Sequence, residues 1–236
     1  MSNLAKKNTG AATTARSTAL DKIRAARPAK PQAGTAAAPP PARRPRLVFA
    51  VDATASRQAT WDSARQITDR MFESIPGALD VALAVHGADQ VHIFTEFSAD
   101  ASRFRAQAAA VRCQAGHTRL CELMQRTLDA GGVKVMSYIG DAFEEDPLEA
   151  FALADRCKLR GLKLVILADQ ADEGTLRVFR ELADRTGGAL LDFRSGEMDL
   201  MGEVLGAVAA LAIGGRKLLA ERKTAGAKLL LSHLGE

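Results

Sequence analysis

The chain has 236 residues, 47% of them hydrophobic and 25% charged, enough to bury a full core in one large domain with appendages. Its net charge of +4 is unevenly placed: residues 1–45 hold nine Lys or Arg against the single Asp21, a net of +8, and residues 46–236 carry a net of −4. The later part therefore has no basic excess for phosphates, and one Trp and one Tyr leave few stacking platforms, which points away from nucleic-acid binding by the folded domain.

Cys113, Cys121 and Cys157 form no CxxC pair and leave an odd count, so neither a disulfide framework nor a structural zinc site is suggested. A reducing cytoplasm fits best. The N-terminus lacks the apolar core of a signal peptide, and the apolar stretch "VLGAVAALAIGG" at 204–215 is too short to span a bilayer comfortably. An Ala-, Arg- and Ser-rich start also suits an organelle transit peptide, but the Ala-rich composition throughout favours a bacterial tail.

Residues 1–45 are dominated by Ala, Pro, Lys and Arg and cannot bury enough apolar surface to offset chain entropy, so a disordered basic tail is expected. Within it, 17–27 is a candidate docking helix with Leu20, Ile23 and Ala26 on one face. From Arg46 the pattern changes. "RLVFAVDA" reads as a buried strand, and "RQATWDSARQITDRMFESI" as a helix with Trp61, Ile67 and Phe72 among its apolar positions. "LDVALAVHG" and "VHIFTEF" follow with too few residues between them for a crossover helix, so they must form an antiparallel hairpin.

Alternation then resumes: helices over about 100–113 and 119–130, a strand at "GVKVMSYIGD", and a helix over 147–160. A strand at 162–169, a helix at 173–186, a strand "GALLDF" and a C-terminal helical segment complete the chain. A mostly parallel, doubly wound, six-stranded α/β sheet with one antiparallel edge strand and helices on both faces is expected. The expected domain core runs over 46–197, with 198–236 as its last helix and an amphipathic extension. Packing on its own domain is the default for that extension, and an oligomer or partner helix the sharper alternative.

Ligands of open parallel sheets bind outside the carboxyl ends of strands, near the point where strand order reverses. The first strand ends in "DATAS", with Asp52, Thr54 and Ser56 on alternate positions; Thr118 lies in a loop just before a helix, and Asp141 ends another strand. Two carboxylates with several hydroxyls are a hard-oxygen set, suited to Mg²⁺ rather than zinc. Each of these residues also has a plain alternative as turn or N-cap chemistry. Asp169 and His117 are candidates to stand behind the ligands, with a cap for the helix near Asp172 and a loop hydrogen bond as their respective alternatives. Glu144, Glu145 and Asp146 read as a solvated loop and helix start, or as a rim selecting basic partners. Cys121 reads as core rather than nucleophile.

"DATAS" resembles the DxSxS motif of the von Willebrand factor A (VWA) domain, whose metal-ion-dependent adhesion site adds a threonine and an aspartate from two further loops. Thr118 of "GHTRL" and Asp141 of "IGDAFEE" look like these two. Thr54 replaces the first serine but keeps the hydroxyl, and Gly140-Asp141-Ala142 stands where the family has Thr-Asp-Gly. The resemblance covers roughly residues 46–197. It implies a bacterial, cytoplasmic, non-enzymatic interaction module that binds Mg²⁺, or Mn²⁺ or Ca²⁺, and captures an Asp or Glu of a partner, in bacterial relatives often beside AAA-type ATPases. Alternatives are a VWA scaffold without metal, and a haloacid-dehalogenase-like phosphotransferase. The latter needs a second acid where Thr54 stands.

Overall fold

The computed structural model describes residues 43–55, 78–193 and 197–235. The tail with its candidate docking helix at 17–27, the expected helix carrying Trp61, Ile67 and Phe72, and Ser56 lie outside the described residues. Among the described residues the elements run β1 (Arg46–Asp52), β2 (Asp80–Gly87), β3 (Gln90–Phe94), α1 (Ala101–Ala110), α2 (Leu120–Ala130), β4 (Val133–Gly140) and α3 (Pro147–Leu159). They continue with β5 (Lys163–Asp169), α4 (Glu173–Thr186), β6 (Ala189–Phe193), α5 (Met198–Glu221) and α6 (Ala225–His233).

The six strands form one sheet in the order β3-β2-β1-β4-β5-β6. Every pairing is parallel except β2 with β3, which is antiparallel as the short connection requires. Ala88 and Asp89 turn that hairpin with φ of 50° and 61°. Two consecutive left-handed residues match a two-residue hairpin turn, at a steric cost because neither is glycine.

Alternate side chains of each strand serve opposite faces. Leu47, Phe49 and Val51 join Val81, Leu83 and Val85 in the core under α1, α5 and α6. Val48 and Ala50 join Ala82, Ala84, Met136 and Tyr138 under α2, α3 and α4. Burial on both faces explains why these strands are near-continuous apolar runs. The helices start where local side chains supply caps: Asp100 for α1, Asp146 for α3, Asp172 for α4 and Thr224 for α6.

The C-terminal segment is not one helix. Gly215 (φ 64°, ψ −160°) breaks α5, and a second helix, α6, follows with Ala227 and Leu230 fully buried against the first core. By length and composition α5 passes for a membrane-crossing helix, longer than the apolar stretch at 204–215 suggested. Here it packs on the sheet, with 61% of its most apolar window buried.

Phe179 of α4 is fully buried and meets both Tyr138 and Phe143 edge-on, with centroids 5.9 and 6.4 Å apart. Phe179→Ala is expected to cost about 3–5 kcal/mol of unfolding free energy, from lost transfer energy and the cavity left behind. Urea denaturation of the two proteins measures this. A loss under about 1 kcal/mol would contradict this packing.

Candidate metal centre

The chain leaves β1 for β2 on one side and returns to β4 on its other side, so strand order reverses between β1 and β4. In open parallel sheets that is the position where the connections diverge and a ligand crevice is expected. Asp52 is the last residue of β1, and its side chain is fully buried. The register pairs Val51 with Ile139, which sets Asp52 level with Gly140 and Asp141 one residue beyond on the neighbouring strand. Adjacent strands lie about 4.8 Å apart, so the two aspartates start from backbone positions on either side of one crevice.

Three loops meet there. In the loop after β1, the Thr54 N–H donates to Asp52 Oδ1 (2.8 Å), the bond of an Asp to the backbone two residues on that makes an Asx-type turn. Thr54 is buried as well, at 8% exposure. The Gln114 N–H donates to the Ala53 carbonyl (2.9 Å), which ties this loop to the one carrying Thr118. Thr118 is 1% exposed and reciprocally bonded to the third loop: its N–H donates to Glu144 Oε2 (3.1 Å), and its hydroxyl accepts from the Glu144 N–H (2.9 Å). That hydroxyl keeps a second lone pair and its own proton. Ser56 lies outside the described residues.

Glu144 and Asp146 are exposed, Asp146 at the expected helix start, while Glu145 is half-buried with a further role. Glu145 Oε1 and Oε2 accept from the Leu120 and Cys121 N–H groups (2.6 and 3.0 Å), capping α2 from a loop 25 and 24 residues away. Asp146 caps α3 through the Leu148 N–H (2.9 Å). With Glu144 engaged by Thr118, Glu144 and Glu145 have structural duties that a local sequence window does not reveal, although anions at helix N-termini are what the helix dipole favours.

His117 is bonded to the hairpin tip. Its N–H donates to Asp89 Oδ1 and its ring Nδ1 lies at the same oxygen, both at 2.7 Å, while Arg119 Nε donates to the Asp89 carbonyl (2.8 Å). The hairpin tip thus clamps the Thr118 loop, and His117 makes the plain loop hydrogen bond. Gly116 is needed at this clamp: its φ is 154°, and a Cβ there would lie 2.5 Å from the Asp89 nitrogen. Asp169 does not cap α4, because Asp172 does so through the Thr175 N–H (2.8 Å). The pairing of Gly140 with Ala168 instead sets Asp169 level with Asp141, one strand further from Asp52. Burial pushes the Cys121 thiol up, with Glu145 as the next cause, which leaves it a core side chain and no nucleophile.

One buried group at this edge escaped the sequence reading. His86, paired with Asp52 in the register, is fully buried; its Nε2 lies 3.0 Å from the Tyr138 hydroxyl and its Nδ1 4.0 Å from Asp52 Oδ1. A carboxylate so close would favour a charged ring, but burial dominates, with His92 and Arg119 adding to it, and His86 is pushed down to about 3. The contact with Asp52 is therefore between a carboxyl group and a neutral imidazole, not an ion pair. A lone histidine in an apolar strand buried on both faces was the available signal.

Among the described residues no three Asp, Glu, His or Cys side chains converge as a metal cluster. A site here must rest on two aspartates and hydroxyls, the donor set of an open hard-cation site. One observation suits a cation: Asp141 Oδ1 is buried and takes no hydrogen bond among the described residues. Leaving a buried carboxyl oxygen unsatisfied is costly, and a cation would offset that cost. A separate groove of about 710 Å³ begins at Thr118 and runs between α2 and α3 past Gln125, Ala152 and Arg156, without reaching Asp52 or Asp141.

No family model matches the sequence, and no curated protein matches it. Solved structures do match its fold. The VWA domain of SpRpn10 is 12% identical, with 73% of this chain and 98% of that one covered and a TM-score of 0.53. The pilus adhesin SpaC from Lactobacillus rhamnosus GG is 14% identical over 76% of this chain and 31% of that one, with a TM-score of 0.58. A chain in the complex between subunits BchI and BchD of magnesium chelatase is 13% identical over 76% of this chain and 98% of that one, with a TM-score of 0.55. The protein therefore has a VWA-like α/β fold, a mostly parallel sheet with one antiparallel edge strand.

His86 gives a pH dependence of known sign. In the unfolded chain the ring takes up a proton below about pH 6.5, whereas in the fold it resists until about 3, so its contribution is present above pH 6.5 and is lost as pH falls. His117, raised by its hydrogen bond to Asp89, acts in the opposite sense but is exposed. Urea unfolding of metal-free protein is expected to show about 2 kcal/mol less stability at pH 5 than at pH 7.5 attributable to His86. His86→Gln is expected to flatten that difference. Equal pH slopes in both proteins would contradict the assignment.

Proposed function

We propose that the chain is a protein-interaction module with an open divalent-cation site, held by Asp52, Thr54, Ser56, Thr118 and Asp141, that captures an Asp or Glu of a partner protein. The observation that carries this reading is the buried, unsatisfied Oδ1 of Asp141 at the crevice where Asp52 ends the neighbouring strand. No ion pair to Asp141 is present among the described residues, so a cation is the fitting counter-charge.

In this reading Asp52 and Asp141 supply the negative charge, and the Thr54, Ser56 and Thr118 hydroxyls supply neutral oxygens. When bound, Mg²⁺ offers a Lewis-acidic position to an oxygen from outside the chain. Mn²⁺ and Ca²⁺ are the other hard cations the set accommodates. Asp52 fixes its own loop through the Thr54 N–H, and Glu144 holds Thr118 at the crevice. Because so few ligands are carboxylates, the set keeps room for a partner carboxylate. The α2–α3 groove beside Thr118 offers a seat for the flanking partner segment.

The partner is proposed to belong to a bacterial, cytoplasmic multi-protein assembly, with an AAA-type ATPase system as the candidate that the VWA resemblance implies. The fold likeness to a chain in the complex between subunits BchI and BchD of magnesium chelatase supports a role in a protein complex. The enzymatic alternative lacks its second acid, since Thr54 stands two residues after Asp52.

Calorimetric titration of the full chain with Mg²⁺ and with Mn²⁺ tests the reading. Saturable heat is expected in the parent, with affinity reduced at least about tenfold in Asp52→Ala and in Asp141→Ala. Absence of heat in the parent would overturn the cation site. Release of phosphate from a generic ester that depends on Asp52 would replace the module by an enzyme.

A further inference from the structure

We propose that His86 is a positioning residue for Asp52: the Tyr138 hydroxyl fixes its ring as the Nδ1–H tautomer, and that N–H holds the Asp52 carboxylate at the end of β1. The inference rests on the reading of Asp52 as a cation ligand, but its first test does not.

The three side chains belong to adjacent strands in the order β2, β1, β4, and all are fully buried. Their placement follows from the two-residue period. Ala82 and Ala84 put His86 on the α2 side of the sheet, Val48 and Ala50 put Asp52 there, and Met136 puts Tyr138 there. The small alanines on β1 and β2 leave room for the rings to meet across β1. The rings of His86 and Tyr138 lie nearly parallel, 17° apart with centroids at 5.9 Å, and Phe179 holds the Tyr138 ring edge-on from α4. Gly140 completes this arrangement, since a Cβ there would lie 2.7 Å from the Tyr138 ring and hydroxyl.

Geometry then selects the tautomer. His86 Nδ1 is buried, has no hydrogen-bond partner among the described residues and lies 4.0 Å from Asp52 Oδ1. An unprotonated Nδ1 would set its lone pair toward a carboxylate oxygen, which is repulsive. With the proton on Nδ1, Nε2 becomes an acceptor and the Tyr138 O–H donates to it at 3.0 Å. A separation of 4.0 Å is too long for a hydrogen bond but acts as a charge–dipole contact where water is excluded, and a shift of about 1 Å closes it. Groups that orient a ligand in this way commonly change metal affinity by about 10- to 100-fold when removed. The backbone adds to the link, because the Ala53 N–H donates to the His86 carbonyl at 2.9 Å.

The first test is a long-range ¹H–¹⁵N correlation spectrum of ¹⁵N-histidine-labelled full chain without metal. His86 is expected as the Nδ1–H tautomer, with its Nδ1 proton shifted by Asp52→Asn and its tautomers mixed in Tyr138→Phe. An Nε2–H tautomer in the parent, or no response to Asp52→Asn, would overturn the proposal. The second test is Mg²⁺ titration, expected about tenfold weaker in Tyr138→Phe and in His86→Leu. His86→Asn, which places an amide nitrogen near the Nδ1 position, is expected to recover most of that loss. Unchanged affinity in Tyr138→Phe, in protein with an unaltered melting curve, would also overturn it. A parent that binds no cation overturns the metal reading alone, and the spectrum then decides whether His86 orients Asp52.

Discussion

With β2 and β4 both parallel to β1 and reached from opposite directions, the carboxyl end of β1 is the place where the sheet's connections diverge. That constraint decides which residues can meet. A residue ending β1 has a parallel strand end on either side of it. Asp52 occupies this position, with His86 level on one side and Gly140 on the other. The burial of Asp52 follows from the same topology, since β1 is covered by helices on both faces.

The loops at this edge are braced by polar bonds as well as by apolar packing. The Gln114 N–H joins the β1 loop to the Thr118 loop, Thr118 and Glu144 join that loop to the one carrying Asp141, and Asp89 clamps it to the β2–β3 hairpin. The two left-handed residues at the hairpin tip cost steric energy, and the bonds of Asp89 to His117 and Arg119 help to offset it. Glu145 holds the start of α2 from the third loop, so movement of the Asp141 loop is coupled to the helix that follows Thr118. A partner drawing on Asp141 would therefore act on an already connected set of loops.

Much of this architecture was legible in the sequence because its causes are local. Period-two and near-continuous apolar runs placed the strands, a short connection forced the hairpin, and the helical pattern placed α4 over 173–186. The strand-end carboxylates were legible for the same reason, as polar residues that interrupt apolar runs. What stayed hidden depends on partners distant in sequence. Glu145 caps a helix 25 residues earlier, and His86 finds Tyr138 52 residues later across a strand that belongs to neither. The break at Gly215 was hidden for another reason: helical residues continue on either side of it, and only its positive φ kinks α5 there.

A cation site at this sheet edge requires that oxygens of Asp52, Thr118 and Asp141 share one ion. Anomalous diffraction at the manganese edge, from crystals of the protein grown in Mn²⁺, tests that most directly. One strong peak between the ends of β1 and β4, within about 2.0–2.4 Å of oxygens from Asp52 and Asp141, is the result this account predicts. Crystals that show no peak there, or manganese bound only along the α2–α3 groove, would contradict it.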